Sequence, residues 1–343
     1  MTTTMSGRLM ALAVLSCVIG LAHIGEGDEP INIVAREQPT NFFGEQEVKL
    51  TFNIPAAEAF EGRVQWRLVT AGRTLASRDD ALSLAAGESQ AVEVRHKLPP
   101  VKEGVVFPVE LTITVVAAKG VEPAAELKTP LYLFGGNPFV DRTQWLESLH
   151  IQLFDPVEAT AKAFTALELP YTSVTNLDTL ADLKTGVVIV GEGVAWEDYG
   201  DLGGLLLAAA SRGVSVICLA PGDAELSLPL GSPGDAAPAR ITLRRRDVIR
   251  EFDKRLALVW SADRSVELRD LSIAAHKDDI LGHAAEPGSG WPWVEVQYNK
   301  PQARLVWCGF GLIRSWDESP SPRHLLLSLL ETLSPDDIKP KIP

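Results

Sequence analysis

The feature that most constrains this chain is a change of hydrophobic period near Gly135-Gly136-Asn137-Pro138. Before it, apolar residues alternate with polar ones. Val48, Leu50, Phe52 and Ile54 form one such series, Val64, Trp66 and Leu68 a second, and Val109, Leu111, Ile113 and Val115 a third. Shorter alternations run through Val92–Val94 and Leu131–Leu133. A period of two, broken by turn residues, predicts antiparallel strands with one wet face. About seven strands over roughly a hundred residues predict an all-β, immunoglobulin-like sandwich between Ile31 and Phe134. No cysteine pair lies in this region, so the antibody type is excluded.

After the glycines the apolar runs become continuous. Val187-Val188-Ile189-Val190 and Val214 to Leu219 read as strands buried on both faces. Ile151–Phe154 reads as a short strand, and Thr172–Val174 as another. Asp155-Pro156 predicts a helix start, with Asp as cap and Pro at the first helical position. Leu202–Arg212 reads as a helix closed by Gly213. This order predicts a three-layer, flavodoxin-like α/β domain around a parallel sheet. Pro221 to Ala239 is rich in Gly, Pro and Ala and reads as a long loop. Ala257–Trp260 and Val266–Leu268 read as short strands. Trp293–Tyr298 and Arg304–Cys308 flank Asn299-Lys300-Pro301-Gln302 as a hairpin. Arg323–Leu333 has the apolar spacing of a closing helix.

The start of the chain reads as a secretory leader. Arg8 precedes an apolar run from Leu9 to Ala22, and about 14 residues are too few to span a bilayer as a helix. Gly20 and Ala22 fit the small positions before a cut, so the expected segments are a signal peptide at 1–22, a sandwich at 23–134, a linker at 135–139, an α/β domain at 140–335 and a tail at 336–343. Val14-Leu15-Ser16-Cys17 is a weak lipobox. Leu15 is an awkward residue there, so Cys17 is expected to leave with the leader, with lipid anchoring through it as the alternative. Removal of the leader leaves 321 residues with 31 basic and 45 acidic side chains, a net charge of −14. That charge disfavours nucleic acid and anionic lipid as partners. No later segment is long and apolar enough for a transmembrane helix. Cys218 and Cys308 alone remain, too few for a disulfide framework.

Residues 140–335 resemble the class I glutamine amidotransferase-like superfamily. They look most like its non-catalytic versions, found in β-galactosidase trimerisation-type domains and other exported bacterial proteins. The likeness is carried by Gly186–Gly191, the helix ending in Ser211-Arg212-Gly213, the strand Val214–Leu219, and the terminal hairpin and helix. The enzymes of that superfamily hold a nucleophilic cysteine on a sharp turn after a buried strand. They also hold a His and an acid just after a late strand. Here Cys218 stands near the first place, flanked by Val216 and Ala220, which replace the glycines that ease such a turn. No His follows Cys308, and His324 lies on the closing helix. The resemblance therefore implies an incomplete triad, with Cys218 a buried strand residue and no catalytic role.

Other candidates are weaker. Open α/β sheets bind ligands at the carboxyl ends of their strands. Those ends bring Asp155, Gly191, Glu192, Gly193 and Asp223 into one candidate crevice. Glu192 and Asp223 could act as an acid–base pair or hold a cation, against the plainer expectation of solvated turn acids. Trp291, Trp293 and Trp316 form a candidate sugar platform, against the plainer expectation that they cover the hairpin. Arg244, Arg245, Arg246, Arg250, Lys254 and Arg255 could bind an anion. Interleaved with Asp247, Glu251 and Asp253, they are expected to form local ion pairs. His276, Asp278, Asp279 and His283 lack metal-site spacing and are expected on a loop surface. No phosphate loop, Gly-x-Ser-x-Gly elbow or Cys-x-x-Cys motif is present, so neither cofactor nor metal is expected. The leading expectation is an exported, non-catalytic binding or assembly protein for carbohydrate or envelope proteins. The alternative is a glycan hydrolase using carboxylates at the strand ends.

Overall fold

The computed structural model describes residues 31–229, 238–277, 279–298 and 303–334. The leader with Cys17, part of the Pro221–Ala239 segment, Asp278, the turn Asn299–Gln302 and the C-terminal tail lie outside the described residues.

The first part is a β-sandwich. Its strands are β1 (Val34–Ala35), β2 (Asn41–Phe43), β3 (Glu47–Pro55), β4 (Phe60–Thr70), β5 (Arg73–Leu84), β6 (Ser89–Lys97), β7 (Val106–Ala117) and β8 (Pro123–Phe134). One sheet has the order β1-β3-β6 and the other β2-β8-β7-β4-β5. All pairings are antiparallel except β2 with β8. In β3 and β4 the alternation read from the sequence is the burial pattern itself, whereas β7 is buried on both faces from Leu111 to Val116. Val48, Leu50, Phe52 and Ile54 of β3 face Leu68, Leu111, Ile113 and Val115 across a closed core. The outer face of the sandwich carries the exposed pairs Lys49–Glu93 and Arg63–Asp79.

The second part is an α/β unit. Its elements are α1 (Thr143–Ser148), β9 (Ile151–Phe154), α2 (Ala159–Ala166), β10 (Thr172–Ser173), α3 (Asp178–Asp182), β11 (Val187–Val190), α4 (Leu202–Arg212), β12 (Ser215–Leu219), β13 (Glu225–Pro229), β14 (Arg240–Arg244), α5 (Val248–Phe252), β15 (Asp270–His276), β16 (Asp279–Ala285), β17 (Trp293–Gln297), β18 (Arg304–Cys308) and α6 (Pro320–Leu333). A seven-stranded sheet has the order β10-β9-β11-β12-β18-β17-β14. Its first five strands are parallel and the last two antiparallel. Odd and even residues of β11 and β12 feed different cores. Ile189, Ile217 and Leu219 pack with α2 and α6, whereas Val188, Val190, Val216 and Cys218 pack with α4. Two-sided burial is why these strands lack alternation.

Helix α4 has the expected bounds. Asp201 Oδ1 accepts the Gly204 N–H at its start, and Gly213 closes it at φ +116°. The α2 start differs from expectation. The helix opens at Ala159, not at Pro156, because Glu158 takes a left-handed φ of 63°. Asp155 still caps it at longer range, with Oδ2 accepting the Ala161 N–H at 2.8 Å. The Pro221–Ala239 segment is also not all loop. It contains β13, which pairs with β16 in a small sheet of order β13-β16-β15. Ala257–Trp260 and Val266–Leu268 are not strands. Their buried residues Ala257, Trp260 and Val266 are packed as irregular chain.

Sandwich and α/β unit meet along α6. The Arg323 guanidinium donates to the carbonyls of Trp316 and Gly136 and lies 4.6 Å from the Phe43 ring centroid. His324 meets Phe134 edge-on at 4.6 Å, and the Asn41 amide donates to the Arg255 carbonyl at 3.0 Å.

Candidate functional site

The carboxyl ends of β9, β11, β12 and β18 form one edge, as the parallel sheet requires. The Gly191 N–H donates to Phe154 O, the Ala220 N–H to Cys308 O, and the Gly193 N–H to Ala220 O. Gly193 makes its turn at φ +83°. Gly191 is needed for a different reason, since a side-chain carbon there would stand 2.4 Å from Asp155 Oδ1.

Glu192 is not a solvated turn acid; it is 7% exposed. Its Oε2 accepts the Ile313 N–H and its Oε1 the Arg314 N–H, each at 2.8 Å. Its own N–H donates to Oγ1 of the fully buried Thr160. Burial pushes the carboxyl up to about 7, against the opposing pull of the amides and the Arg314 charge. Asp223 faces elsewhere. Its Oδ1 accepts the Glu197 N–H at 3.2 Å, and its charge raises the Glu197 carboxyl. Asp223 lines a cleft of about 310 Å³ with Glu197, Asp201, Glu225 and His283. Glu192 lines neither that cleft nor the larger one beside Asp155. Among the described residues, Asp155 and Asp223 thus line separate clefts, and the Glu192 carboxyl is committed to the loop after β18.

A sharp turn follows β12, two residues beyond Cys218. Ala220 takes a φ of +21° and is 1% exposed. Cys218 itself is a central strand residue, opposite Val190 and Trp307, with its side chain in the core beneath α4. Burial pushes its thiol far above the ordinary range and pushes Cys308 up to about 12. His324 is on α6, which covers the opposite face of the sheet, and burial lowers it to about 4. Among the described residues no histidine bonds Cys218.

The tryptophan platform is corrected. Trp293 and Trp316 are core residues, 2% and 3% exposed. Trp293 packs between Phe310 and Phe252, and Trp316 between Phe139 and Phe164. Trp291 is half-buried, and the Arg245 guanidinium covers its ring at 4.0 Å. The basic cluster forms ion pairs, with Arg244 to Glu251, Arg255 to Asp253, and Arg246 reaching Glu37 of the sandwich. His276, Asp279 and His283 belong to a β15–β16 hairpin, not a loop. No group of metal-ligating side chains occurs among the described residues.

Sequence reasoning missed a cleft of about 700 Å³ beside β10. Phe154, Val174 and Ala161 line it, with Tyr171, Tyr199 and the side chains of Asp155, Thr165, Ser173 and Thr175. Two of the four tyrosines in the chain stand there. They are distant in sequence, so only the fold brings them together.

No family model matches this chain, and no curated protein matches it. Among solved structures it is similar to the sporulation control protein Spo0M from Bacillus subtilis, at 13% identity over 35% of this chain and 56% of that one, with a TM-score of 0.27. A cycloisomaltooligosaccharide glucanotransferase from Paenibacillus sp. matches at 12% identity over 55% of this chain and 28% of that one, also at 0.27. A β-glucosidase from Listeria innocua matches at 12% identity over 31% and 16%, at 0.23. The chain spans about half the length of the first and less than a third of the others. Scores at this level identify neither a family nor an activity.

Proposed function

We propose that this chain is an exported, non-catalytic binding or assembly protein at the cell envelope. In this reading an immunoglobulin-like sandwich carries a flavodoxin-like, amidotransferase-like α/β unit that lacks the chemistry. The order β10-β9-β11-β12-β18 supports the flavodoxin-like part, since it is the 2-1-3-4-5 arrangement in chain order. The observation that carries the functional reading is Ala220. The strained turn beyond a buried parallel strand, where a nucleophile would stand, holds a methyl group. The nearby thiols are buried, and the histidine of the last helix faces the sandwich. A hydrolase acting on glycans has less support, because Glu192 and Asp223 turn to different loops.

The test is direct. The protein secreted by its native host should begin near His23 on N-terminal sequencing. Incubated with glutamine and with a panel of chromogenic glycosides, it should release neither ammonia nor chromophore. Release that disappears in Glu192→Gln or Asp223→Asn would overturn the non-catalytic reading.

A further inference from the structure

We propose that the cleft beside β10 binds a neutral saccharide, with Tyr171 and Tyr199 as its platforms. The proposal rests on the binding reading above and adds a place and a ligand class to it. The cleft volume, about 700 Å³, lies within the range of small-molecule sites. From residue 171 to residue 175 it follows an extended edge of the sheet, a span of roughly 13 Å at the strand rise. Its floor is apolar, made by Phe154, Val174 and Ala161.

Both tyrosines are half-buried. Tyr171 meets Phe164 at 6.0 Å and 72°, and Tyr199 meets Phe154 at 5.0 Å and 89°. Neither is sandwiched face to face, so ring surface remains for the cleft. Around them stand the hydroxyls of Ser173, Thr175 and Thr165. An apolar floor with aromatic ends and a rim of hydroxyls matches a sugar ring. Such a ring has a C–H face that packs on aromatics and hydroxyls around its edge.

Charge decides against anionic ligands. Asp155 and Glu158 are the acids of the cleft and Lys162 its cation. Lys162 already lies 3.8 Å from Glu158. A phosphate or uronate would meet a net negative mouth on a chain of net charge −13.

The experiment is isothermal titration of the full exported chain with cellotetraose, maltotetraose, mannotetraose and laminaritetraose, with adenosine as a non-sugar ring. At least one tetrasaccharide should bind, and Tyr199→Ala should weaken it about tenfold or more. Ser173→Trp, at an exposed position of the edge strand, should block the cleft without burying anything new. It therefore tests the site even if the tyrosine variant fails to fold. Trp291→Ala should leave binding unchanged. Absence of tetrasaccharide binding at millimolar concentration, unaltered binding in Ser173→Trp, or adenosine binding more tightly than every sugar would each overturn the proposal. Cleavage products in the same cell would instead overturn the non-catalytic reading.

Discussion

Glu192→Ala removes the acceptor of two partly buried backbone amides, and the cost of doing so should depend on pH. The Ile313 and Arg314 N–H groups each donate to one carboxyl oxygen at 2.8 Å. A fully buried donor left unpaired costs about 1–3 kcal/mol, so two partly buried ones lose at most roughly 2–6 kcal/mol in the variant. Against this stands the burial of the carboxyl, which raises it from 4.5 to about 7. A group with a raised folded value binds its proton more tightly when folded. Its contribution is fully present below the unfolded value of 4.5 and is lost as pH rises through 7. Between pH 5 and pH 8 the wild type should lose roughly 2.5 kcal/mol through this group, at 1.36 kcal/mol per unit. The alanine variant has no such loss. Its deficit should therefore be large at pH 5 and shrink by roughly that amount at pH 8. Urea unfolding followed by tryptophan fluorescence reads this part of the chain, since seven of the eight tryptophans lie beyond Gly135. A deficit equal at both pH values, or larger at pH 8, would refute the reasoning. It would mean that the two amides hold Glu192 as an ordinary carboxylate.

His324 should act in the opposite sense. Its folded value is lowered from 6.5 to about 4, so its contribution is present above 6.5 and lost as pH falls through 4. His324→Leu should flatten the acid limb of a thermal melting profile between pH 7 and pH 4. Cys218→Ala should cost only about 1 kcal/mol in urea, and native Cys218 should label slowly with a thiol reagent at neutral pH. Fast labelling would show a working thiolate. Gly191→Ala should destabilise by about 1–3 kcal/mol, because the new carbon meets Asp155 Oδ1 at 2.4 Å. Adding Asp155→Ala should recover part of that loss in a double-variant melt, and no recovery would place the strain elsewhere.

What could be read from the sequence follows from how many faces of each element are buried. β3 and β4 have one buried face and alternate. β11 and β12 have two and do not, and both patterns were legible. β5 was not, because it is an edge strand paired only to β4 and mostly exposed, so nothing in Arg73–Leu84 forces a period. The hairpin β15–β16 escaped for the same reason, with only Asp270, Leu271 and Gly282 buried among its residues. Val214 to Leu219 reads as one strand with Cys218 inside it, and β12 does run to Leu219. The position of the turn that follows is set by pairing. β18 holds the chain extended through Leu219, and the Ala220 N–H still bonds Cys308 O, so the backbone reverses at Ala220. The burial of Glu192 could not be read locally either, since its partners stand about 120 residues later.

That long-range bond links the strand-end edge to the covering of α6. Glu192 holds Ile313 and Arg314, the segment that leads into α6. α6 is nearly all buried, beneath the sandwich on one side and the sheet on the other. Arg323 ties it to the linker carbonyl of Gly136 and to Phe43 of β2. A carboxyl at the end of β11 thus positions the helix on which the sandwich rests. The same carboxyl cannot also serve acid–base chemistry without releasing that loop. Glu192 is thereby a structural clamp, and loosening it should weaken the contact between sandwich and α/β unit. Hydrogen exchange supplies the check. In Glu192→Ala the amides of Ile313 and Arg314 should lose protection first, followed by those of α6. Those of β3 and β7, in the core of the sandwich, should keep theirs. Equal loss across the sandwich would show that the clamp governs the whole chain and not this one joint.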